Sequence, residues 1–309
     1  MPGPNHSGYI DPNWPSPNGP HDASIIIYGY VPNIVLCILA IALFTLAAIV
    51  HLISAIHYRT WSFLPLTFAC VMEVVGYIAR TFSSKKDPYN INYFIIAYFF
   101  IVTAPVFVTA SIYVCLNKII AWAAFEGYEV DARRWIKPKL ILWGFLSFDI
   151  GTTILQIAGA SLIGVRTSNH EDSTGANNIL LAGLIVQSIA FFTFLSVFFI
   201  LTASLMRDSR FGVGLRGKKP FMLALGSASL LVFLRLLFRV AETADGVYGS
   251  LSSNEAYFGP LEFAPMVLAV LLLALWHPGK WVPAPLVSRR RRPSGVNRNA
   301  EAVELKSQD

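Results

Sequence analysis

Leu234-Arg235-Leu236-Leu237-Phe238-Arg239-Val240-Ala241-Glu242 lies towards the end of an apolar run that begins near Phe221. Read as a helix, it sets Arg235, Arg239 and Glu242 four and then three residues apart, within about 60° of one another around the axis. A guanidinium in hydrocarbon costs roughly 2.5 kcal/mol on insertion scales and more on others. A stripe of three ionisable groups therefore has to face other helices that supply opposite charge. The fold reading turns on whether the chain has such helices.

It has them. The 309-residue chain is 55% hydrophobic and only 14% charged, whereas a soluble domain is roughly a quarter charged. Seven apolar stretches, 31–54, 62–82, 93–117, 139–165, 178–205, 221–243 and 257–276, are each long enough to cross a hydrocarbon layer of roughly 30 Å. Backbone groups in lipid must be satisfied within their own segment, so these stretches read as helices. The expected fold is all-α: a polytopic membrane protein with a single bundle of seven transmembrane helices. Residues 1–27, rich in Pro, Asn and Gly and without Lys or Arg, read as a disordered extracellular tail. Residues 28–280 form the bundle and 281–309 a basic, disordered cytoplasmic tail. No second domain and no solenoid repeat is visible.

Loop charge gives the expected orientation. Arg133, Arg134, Lys137 and Lys139 follow the third stretch, Arg207, Arg210, Arg216, Lys218 and Lys219 follow the fifth, and Arg289–Arg292 follow the seventh. By the positive-inside rule the N-terminus is outside and the C-terminus inside. The N-terminal tail lacks the basic start and apolar core of a signal peptide. Asn5-His6-Ser7 is a glycosylation sequon if that tail is exported. Cys37, Cys70 and Cys115 lie inside three different stretches, where they read as small apolar residues rather than a disulfide framework.

Partners for the arginines come from the other stretches. Glu73 and Arg80 are seven residues apart, as are Asp149 and Gln156, and Arg235 and Glu242. Each pair therefore shares a helix face, with its members about 10 Å apart along the axis. Gln187 and Glu262 join the set, and Glu255 stands at the expected outer mouth. Arg80, Arg235 and Arg239 thus oppose Glu73, Asp149, Glu242 and Glu262 around a shared interior. Tyr77, Tyr98, Tyr113 and Tyr257 are amphipathic candidates to line it. Such residues can simply hold a bundle together or can build a polar substrate site. Intramembrane ionisable groups favour the second reading. Pro105 should kink the third helix and free the carbonyl one turn before it.

Other chemistries find no support. Gly212-Val213-Gly214-Leu215-Arg216-Gly217-Lys218-Lys219 departs from a phosphate-binding loop at Lys219, where Ser or Thr is required. The six histidines form no metal-ligand pattern, and no nucleophile elbow is present. No enzyme activity, cofactor, metal or nucleic-acid partner is expected.

The motifs Tyr30-x-Pro32, Glu73-x-x-Gly76-Tyr77-x-x-Arg80, Ala104-Pro105, Asp149 with Gln156 and Gly159, Gly183 with Gln187, Arg235-x-x-Phe238-Arg239-x-x-Glu242, Glu255-x-Tyr257-Phe258 and His277-Pro278-Gly279 occur in that order. In this order they resemble the fungal lipid-translocating exporters, seven-span proteins named for resistance to aminocholesterol. The chain departs from that family at Glu262, where Asp is usual, and at Gly259-Pro260, where a Tyr is replaced. The resemblance implies movement of amphipathic lipids, sphingoid long-chain bases above all, across the plasma membrane. The expected partners are membrane lipids and an amphipathic small molecule. The expected substrate-binding residues are Glu73, Tyr77, Arg80, Tyr113, Asp149, Gln156, Gln187, Arg235, Arg239, Glu242 and Glu262. The alternative is a seven-span receptor or membrane lipid or stress sensor. Against it, the chain has no outer-loop Cys, no Asp-Arg-Tyr after the third stretch and no Asn-Pro-x-x-Tyr in the seventh.

Overall fold

A computed structural model describes residues 10–11, 13–15, 17, 19, 21–125, 138–168, 171–207, 219–246 and 249–281. The helices are α1 (Ile34–His57), α2 (Leu64–Lys85, entered through a 3-10 turn, Trp61–Phe63), α3 (Ile91–Phe125), α4 (Pro138–Ser168), α5 (Thr174–Arg207) and α6 (Lys219–Asp245). They are followed by α7 (Glu255–Phe258), a π turn (Gly259–Phe263), α8 (Ala264–Leu275) and α9 (Pro278–Trp281). Seven helical spans are long and apolar enough to cross a membrane, the last running Glu255–Trp281 through α7, the π turn, α8 and α9. The chain is a multi-pass membrane protein.

Each expected stretch falls inside an observed span, apart from the start of the first. Val31 precedes Pro32, which disfavours helical backbone, and Asn33 caps α1 by accepting from the Val35 amide at 2.8 Å. The far end of α1 closes in a Schellman motif. Thr60 N donates to Ala55 O at 2.9 Å and Arg59 N to Ile56 O at 3.2 Å. Arg59 takes the left-handed conformation, φ 52°, that glycine usually supplies there.

Residues 21–27, expected as part of a disordered tail, instead pack against the N-terminal end of the bundle. Ala23 N donates to Tyr89 O at 2.8 Å and Ile91 N to His21 O at 3.0 Å, while Ala23, Ile25, Ile26 and Ile27 are buried. Four apolar residues within five positions bury enough surface to order a segment that its Pro- and Gly-rich neighbours would not. The Asn5 sequon lies outside the described residues. So do Arg133, Arg134, Lys137, Arg210, Arg216 and Lys218, the Gly212–Lys218 loop and the basic run Arg289–Arg292.

Towards the C-terminal end the interior is a dry core in which Phe44, Phe63, Ile112, Leu116, Phe194 and Phe198 are fully buried. Ile38, Ile200, Leu223 and Leu275 face outwards, as lipid-contacting side chains should. Close helix contacts rest on small residues. A Cβ at Gly159 of α4 would lie 2.9 Å from the Leu180 amide nitrogen of α5. That neighbour is backbone and cannot turn aside. Gly159→Val is therefore expected to separate these helices at a cost of about 1–3 kcal/mol. In detergent the variant should melt several degrees lower; an unchanged Tm would show that α4 and α5 can separate freely.

Candidate substrate site within the bundle

The site begins with a backbone defect. Pro105 of α3 has no N–H, so the carbonyl of Ile101, four residues earlier, loses its helical donor. Arg235 of α6 supplies the replacement, donating through Nη2 to Ile101 O at 3.1 Å. The same nitrogen forms an ion pair with Oε1 of Glu262. Glu262 belongs to the π turn of the seventh span, where the amide of Ala264 reaches back five residues to Gly259 O. That wide turn includes Pro260, which cannot donate. It is a local departure from α geometry of the kind often found at functional sites. Arg235 and Glu262 are 4% and 1% exposed, so the charges of the opening stretch face the interior. Glu73 of α2, 2% exposed, lies within their field. Its Oε1 has no hydrogen-bond partner among the described residues.

One turn nearer the N-terminal end, Arg239 donates to Glu242 Oε2 at 2.6 Å and sits over the Tyr98 ring, 5.0 Å from its centre. This is an attractive cation–π placement. Arg80, expected among the substrate-binding residues, lines a cavity and has partners in the N-terminal segment and the seventh span. It donates to Tyr30 Oη at 2.6 Å and to Glu255 Oε1 at 3.2 Å, and lies over the rings of Phe258 and Tyr28. Glu255 in turn accepts from the Asn33 amide at 2.8 Å. Arg80 therefore ties the N-terminal segment, α1 and α7 to α2. Burial pushes the Tyr28 phenol up to about 12 against the opposing pull of Arg80, and burial also raises Tyr30. Both are neutral hydroxyls at physiological pH.

Asp149 was expected to oppose an arginine. Instead its Oδ2 accepts from Tyr113 Oη at 2.8 Å and Thr109 Oγ1 at 2.9 Å. Two hydroxyls from successive turns of α3 take the place of a cation. Gln156 of α4 donates to Gln187 of α5 at 2.6 Å, which explains why α4 and α5 each carry a buried amide. The seven-residue pairs thus share faces, but Arg80, Asp149, Gln156, Arg235 and Glu242 all bond to residues other than their heptad mates. Tyr77, 1% exposed, stacks with Phe44 and meets Phe263 edge-on. It packs the wall. Tyr257 is exposed.

These groups border two neighbouring spaces. A cavity of about 120 Å³ at the N-terminal end is lined by Arg80, Tyr98, Asn177, Arg239, Glu242 and Glu262. Deeper, a polar void of about 20 Å³ is bordered by Asp149, Gln156, Gln187 and Arg235, enough for about one water. Arg239 and Val102 border both spaces. Below them Tyr113, Phe191 and Phe194 pack ring against ring, closing the way to the C-terminal end. An apolar groove of about 150 Å³ runs between α3 and α4, lined by Ile96, Phe99, Phe100 and Ala160. Phe94 and Tyr98 are common to the groove and the N-terminal cavity. A charged chamber and a greasy furrow therefore share one wall.

Of the expected residues, Arg80, Arg239, Glu242 and Glu262 line the larger cavity, and Asp149, Gln156, Gln187 and Arg235 the smaller. Glu73, Tyr77 and Tyr113 stand behind them. Sequence reasoning did not assign Tyr28, Asn177 or Thr109 to the site. The hydroxyl of Thr109 sits one turn before Tyr113 and was legible only as a small polar residue in an apolar run.

The chain is similar in sequence to known proteins. Residues 66–285 match the family model described as RTA1 like protein. The sphingoid long-chain base transporter RSB1 of Saccharomyces cerevisiae is 26% identical over 284 residues, covering 81% of this chain and 73% of the relative. Protein RTM1 of the same species is 29% identical, covering 68% and 65%, and protein RTA1 is 25% identical, covering 82% and 84%. No solved structure matches.

Proposed function

The chain belongs to the RTA1-like family, and from that premise we propose that it translocates cationic amphiphiles, long-chain bases or molecules like them, across the plasma membrane. The observation that carries the reading is the shared wall. Tyr98 and Phe94 border both the charged cavity and the apolar groove, so one molecule can place a polar head in the first and a hydrocarbon chain in the second. The transporter name of one relative agrees with this chemistry. Glu242 and Glu262 offer carboxylates to an ammonium. Arg239, held against Tyr98, keeps Glu242 in place until cargo arrives. Loop charge orients the N-terminal end, where the cavity lies, to the outside.

The test is reconstitution of purified protein into liposomes with a fluorescent long-chain base, scored by quencher access to each leaflet. Protein-dependent movement is the expected result. Movement no faster than in empty liposomes would overturn the proposal. The groove has its own signature. Ala160, 5% exposed, lines it, and Ala160→Phe should fill it. That variant is expected to slow long-chain cargo at least about fivefold, equivalent to about 1 kcal/mol, and to spare a short-chain amine. Equal slowing of both would place the chain elsewhere.

A further inference from the structure

Counting charge at the Arg235 cluster gives one cation and two carboxyls. Arg235 is paired with Glu262, and Glu73 is left over. Glu73 is 2% exposed, and its Oε1 has no hydrogen-bond partner among the described residues. Among the described residues the charged groups that act on it are Arg235 of α6 and Glu262 of the π turn. On its own helix the titratable neighbours are Cys70 and Tyr77. With both carboxyls ionised the cluster carries an uncompensated negative charge on buried side chains, which costs several kcal/mol. Neutrality therefore calls for one more positive charge.

We propose that Glu73 is a proton-binding site and that its proton is exchanged for a cationic cargo. This proposal rests on the translocator reading and adds the co-ion to it. Without cargo, Arg235 neutralises Glu262 and Glu73 is a neutral acid. Cargo enters the cavity that Glu262 lines, and its ammonium takes over that carboxylate. Arg235 then turns to Glu73. Its Nε and the Oε1 of Glu73 are both without hydrogen-bond partners among the described residues. Glu73 ionises, and its proton is released to water. Both states are neutral: Arg235 with Glu262 and a protonated Glu73 before, and Arg235 with Glu73 and the ammonium with Glu262 after. The exchange lets a proton gradient drive cationic cargo in the opposite direction.

The experiment uses full-length protein in nanodiscs, weakly buffered, with a pH-sensitive dye. The probe is a long-chain base at mildly acid pH, where its amine stays charged. Wild type should release about one proton for each cargo bound. Glu73→Gln, which leaves Arg235 without a second carboxylate, should bind cargo more weakly and release no proton with what it binds. Glu73→Asp, which keeps a titratable carboxyl, should restore release and guard against a folding defect in the first variant. Binding without proton release in wild type, or release that persists in Glu73→Gln, overturns the proton site and leaves the translocator reading standing. Absence of any binding by wild type overturns both.

Discussion

Arg235→Ala is expected to be the most destabilising single change in this protein, at about 3–5 kcal/mol. Two groups lose their partner at once. Glu262 becomes an unpaired charge at 1% exposure. The carbonyl of Ile101, which Pro105 has already deprived of its helical donor, loses its substitute, and an orphaned buried acceptor costs about 1–3 kcal/mol by itself. These penalties overlap, so the sum is smaller than the parts. The variant should aggregate on extraction or melt well below wild type in detergent. The double variant Arg235→Met with Glu262→Leu removes both charges and keeps the volume, so it should recover much of the lost stability while remaining inactive in cargo movement. If Arg235→Ala alone melts like wild type, the guanidinium is not the keystone of this interior.

The bundle could be read from the chain because lipid leaves few options. Apolar runs of the right length have to be helices, and the structure follows all seven, adding a few residues at most ends. Which residues face inwards was legible for the same reason. Charge cannot face hydrocarbon, so Glu73, Asp149, Arg235 and Arg239 had to turn in, and all four are buried. Pairing was not legible. Heptad spacing reports only a shared face, and the partner depends on the rotation and depth of a different helix. So Arg80 meets Tyr30 and Glu255 in the segments beside it, and Asp149 meets two hydroxyls. The π turn was hidden too, because Gly259-Pro260 indicates an interruption without saying which way Glu262 will turn. Likewise the tail was extended too far: composition averaged over residues 1–27 obscured four buried apolar residues at its end.

The second large effect concerns cargo rather than stability. Glu242→Gln is expected to reduce movement of a charged long-chain amine at least about tenfold, equivalent to about 1.4 kcal/mol in the rate-limiting step. Glu242 lines the larger cavity, and among the described residues it forms an ion pair with Arg239, three residues before it on the same helix. Both side chains of the pair are largely buried, so neutralising one lowers stability. The glutamine keeps the shape and can still accept from Arg239, so the fold should survive with a reduced Tm. What is lost is the carboxylate that an arriving ammonium would neutralise. Arg239 is then left as an uncompensated cation facing a cationic headgroup. A cargo whose nitrogen is acylated, and so uncharged, offers the control: its movement should change far less. Comparable loss for the charged and the acylated cargo would mean that Glu242 shapes the chamber without reading charge. A well-folded Glu242→Gln protein that moves the amine at the wild-type rate would remove this carboxylate from the cargo's path.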